Sequence, residues 1–220
     1  MLALKRNFKV ARLTSSSRRG FTLIELLVTI SIFAILTGVV LFNQAKFNSS
    51  ILLTNLAYDT ALTIRQAQTY GINIKEFNLG GGSKFVPYGV HFDITNPKSF
   101  ILFADTSYLS DTESGDGLYN DDDTAILSTC ENSRGCVSRY NITRGNYIYA
   151  LCVDEETDLP DGDCSIQKLD IVFQRPNPDA HIRANNNVTE LDNATIIIRG
   201  ADGSERKVKV RSNGLIQIAH

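Results

Sequence analysis

With 220 residues, 22 Lys and Arg against 24 Asp and Glu, and a formal net charge of −2, the chain has room for one anchor and one folded domain. The charge balance offers no basic surplus, which speaks against a general nucleic-acid binder. Hydrophobic residues at 43% and charged residues at 21% fit a globular domain rather than a disordered chain.

Six basic residues, Lys5, Arg6, Lys9, Arg12, Arg18 and Arg19, and no acidic one precede Gly20. An apolar run begins at Phe21 and lasts to Phe42. As a helix it would measure about 33 Å at roughly 1.5 Å per residue, close to the roughly 30 Å of a bilayer's hydrocarbon core. Positive charge ahead of it holds the N-terminus in the cytoplasm and sends the rest outward. A secretory signal peptide is cut after its apolar segment, at a small-x-small site. The stretch Asn43-Gln44-Ala45-Lys46-Phe47 is a poor site of that kind, so the anchor is expected to stay.

One carboxylate, Glu25, interrupts the apolar run. Inside a bilayer such a group costs roughly 2.5 to 3.5 kcal/mol on insertion scales, so it marks a function or a partner. No Lys, Arg or His lies between Phe21 and Gln44, so no side chain of this segment offers it a counter-charge. A cut between Gly20 and Phe21 would create an amine that does. The amine of an adjacent copy is the better partner, because that contact fixes two helices in axial register.

Gly20 followed by Phe21-Thr22-Leu23-Ile24-Glu25-Leu26-Leu27-Val28 resembles the class III signal of type IV prepilins and type II secretion pseudopilins. The resemblance implies that a membrane prepilin peptidase cuts after Gly20 and N-methylates Phe21. It also implies that Glu25, with Thr22 beside it, guides assembly with other pilin or pseudopilin subunits on an inner-membrane platform. The expected location is the bacterial inner membrane, single-pass with the N-terminus inside and the head extracytoplasmic, and then a pilus or pseudopilus. Where major pilins carry a helix-kinking Pro this chain has Phe42, which fits the minor pilin and pseudopilin branches and an unbroken helix. Without residues 1–20 the chain would hold 16 basic residues against 24 acidic.

From Asn43 to Tyr70 there is neither Pro nor Gly. Leu53, Leu56, Ala57, Ala61, Ile64 and Gln68 recur at helical spacing, predicting an amphipathic continuation laid on a sheet and stopped at Gly71. The segment Ala61-Leu62-Thr63-Ile64-Arg65-Gln66-Ala67-Gln68 resembles the end of that helix in H-type minor pseudopilins. Gly80-Gly81-Gly82-Ser83 reads as a hinge or turn. Short strands follow, near Tyr88–Asp93, Phe100–Ala104, Ala125–Ser128, Tyr147–Val153, Leu169–Gln174, His181–Ala184, Ala194–Arg199, Arg206–Arg211 and Leu215–Ile218. Turns at Ala201-Asp202-Gly203-Ser204 and Ser212-Asn213-Gly214 join the last three into an antiparallel meander. The fold class is α+β: residues 1–20 a leader, 21–42 an anchor, 43–71 the helix continuation, 72–220 a β-sandwich-like head. The stretch from Leu169 to Pro176 and the closing Gly214-Leu215-Ile216-Gln217-Ile218 are similar to the C-terminal region of H-type pseudopilins and FimT-like minor pilins.

All four cysteines lie beyond the anchor, and an extracytoplasmic setting favours disulfides over thiols. Of the three pairings open to Cys130, Cys136, Cys152 and Cys164, neighbour pairing is the one expected, Cys130–Cys136 and Cys152–Cys164. Between Asp105 and Asp123 stand seven acidic residues and no basic one. Within it Asp116, Gly117, Leu118 and Asp123 have the spacing of the second half of an EF-hand calcium loop. Thr112 and Ser114 fall where the first half needs carboxylates, so Asp105, Asp111 or Glu113 would be recruited instead. A structural calcium is the one cofactor this stretch admits, a solvated acidic loop being the alternative; no cofactor is required elsewhere.

Lys207, Lys209 and Arg211 alternate on one strand and share a face. A DNA-contacting stripe is the functional reading and a solvent-facing strand the expected one, so no nucleic-acid partner is expected. His91, His181 and His220 show no ligand spacing, and no nucleophile elbow, phosphate loop or metalloprotease helix is present. The expected function is that of a non-enzymatic filament subunit. Two alternatives are a DNA-binding minor pilin and a single-pass membrane protein with an extracytoplasmic binding head.

Overall fold

The computed structural model describes residues 20–73, 75–78, 83–106, 115–119, 130, 135–154, 163–187 and 189–219. The chain divides into two compact units, Met1–Gln44 and Ala45–His220. The helix α1 (Leu23–Ile72) begins in the first.

In the first unit the window Leu23–Leu41 has a mean hydropathy of 2.5 and none of it is buried. Its 19 residues span about 28 Å, so by length and composition the segment can cross a bilayer. Its few hydroxyls do not break the apolar surface. Thr29 donates to the Leu26 carbonyl and Ser31 to the Leu27 carbonyl, each at 2.8 Å. Phe21, Leu23 and Phe33 are exposed.

Among the described residues the second unit holds the rest of α1 and twelve strands. A small hairpin pairs β1 (Glu76–Asn78) with β2 (Ser83–Phe85). One five-stranded sheet has the order β5 (Cys136–Asn141), β4 (Ser99–Ala104), β3 (Tyr88–Asp93), β8 (Lys168–Phe173), β9 (Ala180–Ala184). The other runs β12 (Ile216–Ala219), β11 (Glu205–Arg211), β10 (Asn193–Arg199), β6 (Tyr147–Asp154), β7 (Asp163–Ile166). All pairings are antiparallel, and β10, β11 and β12 form the expected meander. The architecture is α+β, a helix with a head of two antiparallel sheets.

Burial follows the period-2 rule for strands. Val90 and Phe92 on β3, Leu169, Ile171 and Phe173 on β8, and Ile196 and Ile198 on β10 enter one core with Leu53, Leu56, Ala57, Ala61 and Ile64 of α1. The helical stripe thus seats where its spacing predicts, with Thr60 and Ala67 added to it. Thr60 is tolerated there because its hydroxyl donates to the Leu56 carbonyl at 2.8 Å. Gln68 departs from expectation. It is half-buried, and its amide donates to the carbonyls of Pro178 (3.0 Å) and Gly214 (3.2 Å), tying α1 to the last turn.

Gly71 also plays another part than the one expected. The helix runs through it to Ile72, and a Cβ there would lie 2.2 Å from the Phe173 carbonyl oxygen. The missing side chain serves close helix–strand approach rather than a C-terminal stop.

Strands β5 and β7 were not expected. Both are edge strands with a single neighbour, and an edge tolerates polar residues such as Ser138, Arg139 and Ser165 that blur the apolar alternation. The three-residue strands β1 and β2 are too short to leave a pattern. The expected strand at 125–128 and the glycine hinge at 80–82 lie outside the described residues.

Candidate functional site

The first candidate is the start of α1. Thr22 stands as its N-cap, and Glu25 is three residues on. The Thr22 backbone N–H donates to Glu25 Oε2 at 3.1 Å and the Thr22 hydroxyl to the same oxygen at 3.0 Å. In return the Glu25 N–H donates to Thr22 Oγ1 at 3.3 Å. This is a reciprocal capping box, two orphan helix-start donors satisfied at once. A single chain thus already supplies Glu25 with a hydroxyl and an N–H. The signal, Thr-x-x-Glu ahead of an apolar run, stood in the sequence. What the capping box does not supply is a positive charge. Gly20 and Phe21 precede the helix in non-helical, exposed backbone.

The second candidate lies on the outer face of the β5-β4-β3-β8-β9 sheet. Every residue of β4, and all of β3 except Asp93, is buried, because the segment 115–119 covers the face opposite the main core. A second cluster forms there from Ile101, Phe103, Tyr119, Cys136 and Val172. The Tyr119 ring sits 5.0 Å from that of His91 and 5.3 Å from that of Phe103.

Two buried carboxylates hold the segment. Asp105 Oδ2 accepts the Gly117 N–H at 2.7 Å, and Asp170 Oδ1 accepts the Tyr119 N–H at 3.2 Å while facing His91 Nδ1 at 2.7 Å. Arg183 donates to the Asp116 carbonyl and reaches Glu190 at 3.5 Å. Gly117 has a φ of 73° and presses against the Arg183 guanidinium, so a Cβ there would be strained and without room. Burial pushes the Asp105 carboxyl up to about 7; the Gly117 N–H opposes this, the Asp116 charge adds to it, Arg183 opposes it and Asp170 adds a little.

Of the residues named for calcium, Asp105, Asp116 and Leu118 are described and Asp111 and Asp123 lie outside the described residues. Asp105 and Asp116 are brought near each other, but Asp116 Oδ1 accepts the Leu118 N–H at 3.1 Å and the nearby positive charge is the Arg183 guanidinium. Among the described residues no group of three or more His, Cys, Asp or Glu stands together to hold a metal. The spacing reading missed His91, Asp170 and Arg183, which come together only through strand pairing.

Cysteine pairing is by neighbours, Cys130 with Cys136 and Cys152 with Cys164. Lys207 and Lys209 are half-buried and Arg211 exposed on β11, alternating with buried Val208 and Val210. They share the face turned away from the core.

No curated protein and no solved structure matches the chain. Residues 15–41 match the family described as the prokaryotic N-terminal methylation motif, a stretch that contains Gly20, Phe21, Thr22, Glu25 and the apolar window of α1. The chain thus carries a prepilin-type N-terminal methylation motif over this stretch.

Proposed function

We propose that this chain is a minor pilin or pseudopilin, cut after Gly20, methylated on Phe21 and assembled through α1 into a type IV pilus or type II secretion pseudopilus. The observation that carries the reading is the methylation motif matched over residues 15–41, which takes in an apolar, unburied helical window, Leu23–Leu41. In this reading the chain is a substrate of the peptidase rather than a catalyst. It enters the inner membrane with its basic leader inside and its head outside, and it meets the assembly platform there.

The mechanism is electrostatic. Glu25 enters the membrane as the N3 residue of its own capping box. Removal of the leader turns the Phe21 nitrogen into a cation, which attracts a neighbour's Glu25 far more strongly in low dielectric than in water. That pairing sets the stagger between subunits. The H-type minor pseudopilins and FimT-like minor pilins are the proposed subgroup, on the resemblance of the helix end and the closing strand; neighbouring genes distinguish pilus from pseudopilus.

The test is Glu25→Ala in cells that assemble the filament. Cleavage after Gly20 should persist while the subunit's share of sheared filaments falls at least about tenfold, the loss of one partly desolvated charge pair. Incorporation equal to the parent's would overturn the assembly role.

A further inference from the structure

Strand register places five side chains in one row across the outer face of the β5-to-β9 sheet. Arg139 pairs with Ile101, Ile101 with His91, His91 with Asp170, and Asp170 with Arg183. Directly opposed residues share a face, so a guanidinium stands at each end of the row. The two ends differ. Arg183 is engaged by the Asp116 carbonyl and Glu190. Among the described residues Arg139 donates only to Ser99 Oγ, at 3.3 Å; the Nε of each of the two guanidiniums is buried without a hydrogen-bond partner. Among the described residues no carboxylate forms an ion pair with it.

Beside Arg139 lies a cavity of about 350 Å³, lined by Ser99, His91, Tyr119, Asp93 and Asn96 among others. That size falls in the range of small-ligand pockets, roughly 300 to 1,000 Å³. Arg139 itself lines this cavity, and its planar fork matches a carboxylate in two parallel hydrogen bonds. Asp93, on the cavity wall, accepts the Thr95 N–H and hydroxyl at 2.7 Å each. Its charge repels a polyanion and suits hydroxyl or ammonium donors.

We infer that this cavity binds a small monocarboxylate carrying hydroxyl or amino groups, its carboxylate seated on Arg139 and Ser99 and its donors turned to Asp93 and Asn96. The site lies wholly within the head and acts independently of leader cleavage. Sugar acids and peptide termini share this chemistry.

The test is calorimetric titration of the full chain in detergent with glucuronate, with alanyl-alanine and with neutral glucose. At least one acid should bind within about 10 mM while glucose does not, and Arg139→Gln should weaken it about tenfold or more. Glucuronate alone assigns a sugar acid, and alanyl-alanine alone a peptide terminus. Should Arg139→Gln fail to fold, Ser99→Ala, which removes only the hydroxyl Arg139 touches, should weaken binding several-fold. Absence of binding by both acids, binding of glucose equal to theirs, or affinity unchanged in the variant that folds would overturn the inference.

Discussion

Replacing Asp105 by Asn gives a stability change that depends on pH in a calculable way. In the folded head Asp105 is 2% exposed, and its carboxyl holds a proton up to about pH 7 against an ordinary value of 3.8. The unfolded chain releases that proton near 3.8. Between the two values the folded state binds more protons, so this group makes stability fall as pH rises, with no further effect above about 7. Three units at about 1.36 kcal/mol each make roughly 4 kcal/mol between pH 4 and pH 7.5. Asn keeps an acceptor for the Gly117 N–H and cannot ionise, so its head lacks this slope. Urea unfolding of the chain from Ala45 onward, parent and Asp105→Asn, at half-unit pH steps, isolates the effect by subtraction from that of Asp170, His91 and every other group. The parent should lose about 4 kcal/mol relative to the variant over that window. A difference that stays flat with pH, or one that grows in the parent's favour, would refute the assignment of Asp105 as a buried carboxyl made costly by its own ionisation.

Gly71→Ala should lower stability by about 1 to 3 kcal/mol, because the added methyl must displace the Phe173 backbone; equal urea midpoints would show that contact to be slack. Paired Cys152→Ser and Cys164→Ser should cost about 3 kcal/mol for a loop of this length, the bridge spanning 12 residues, read as a lower melting temperature under non-reducing conditions. Duplex DNA should not be retained by the head at about 150 mM salt. Retention that falls when Lys207, Lys209 and Arg211 are changed to Gln would move the reading to a DNA-capturing subunit.

Much of the fold was legible because its signals are local. The apolar window of α1, the stripe from Leu53 to Ile64 and the turns at Gly203 and Gly214 each declare themselves within a few residues. The strands that escaped, β5 and β7, lie at sheet edges, where one partner suffices and polar side chains dilute the pattern. Gly71 was visible as a glycine, but its reason is a strand 100 residues away. The same limit governs the outer face. Spacing singled out Asp116, Leu118 and Asp123, whereas the partners of the segment on the sheet, Asp170, His91 and Arg183, share a row only by register between strands distant in sequence. At the N-terminus the methylation motif is written in contiguous residues, and the reciprocity of Thr22 and Glu25 becomes visible only once the helix start is placed at Leu23.

The central claim is that the leader is removed to expose the nitrogen that Glu25 answers. Intact-mass and N-terminal sequencing of the protein recovered from membranes of cells expressing a prepilin peptidase tests it most directly. A chain beginning at N-methylated Phe21 is the predicted result; a membrane form that still carries residues 1–20 in the presence of active peptidase would contradict it.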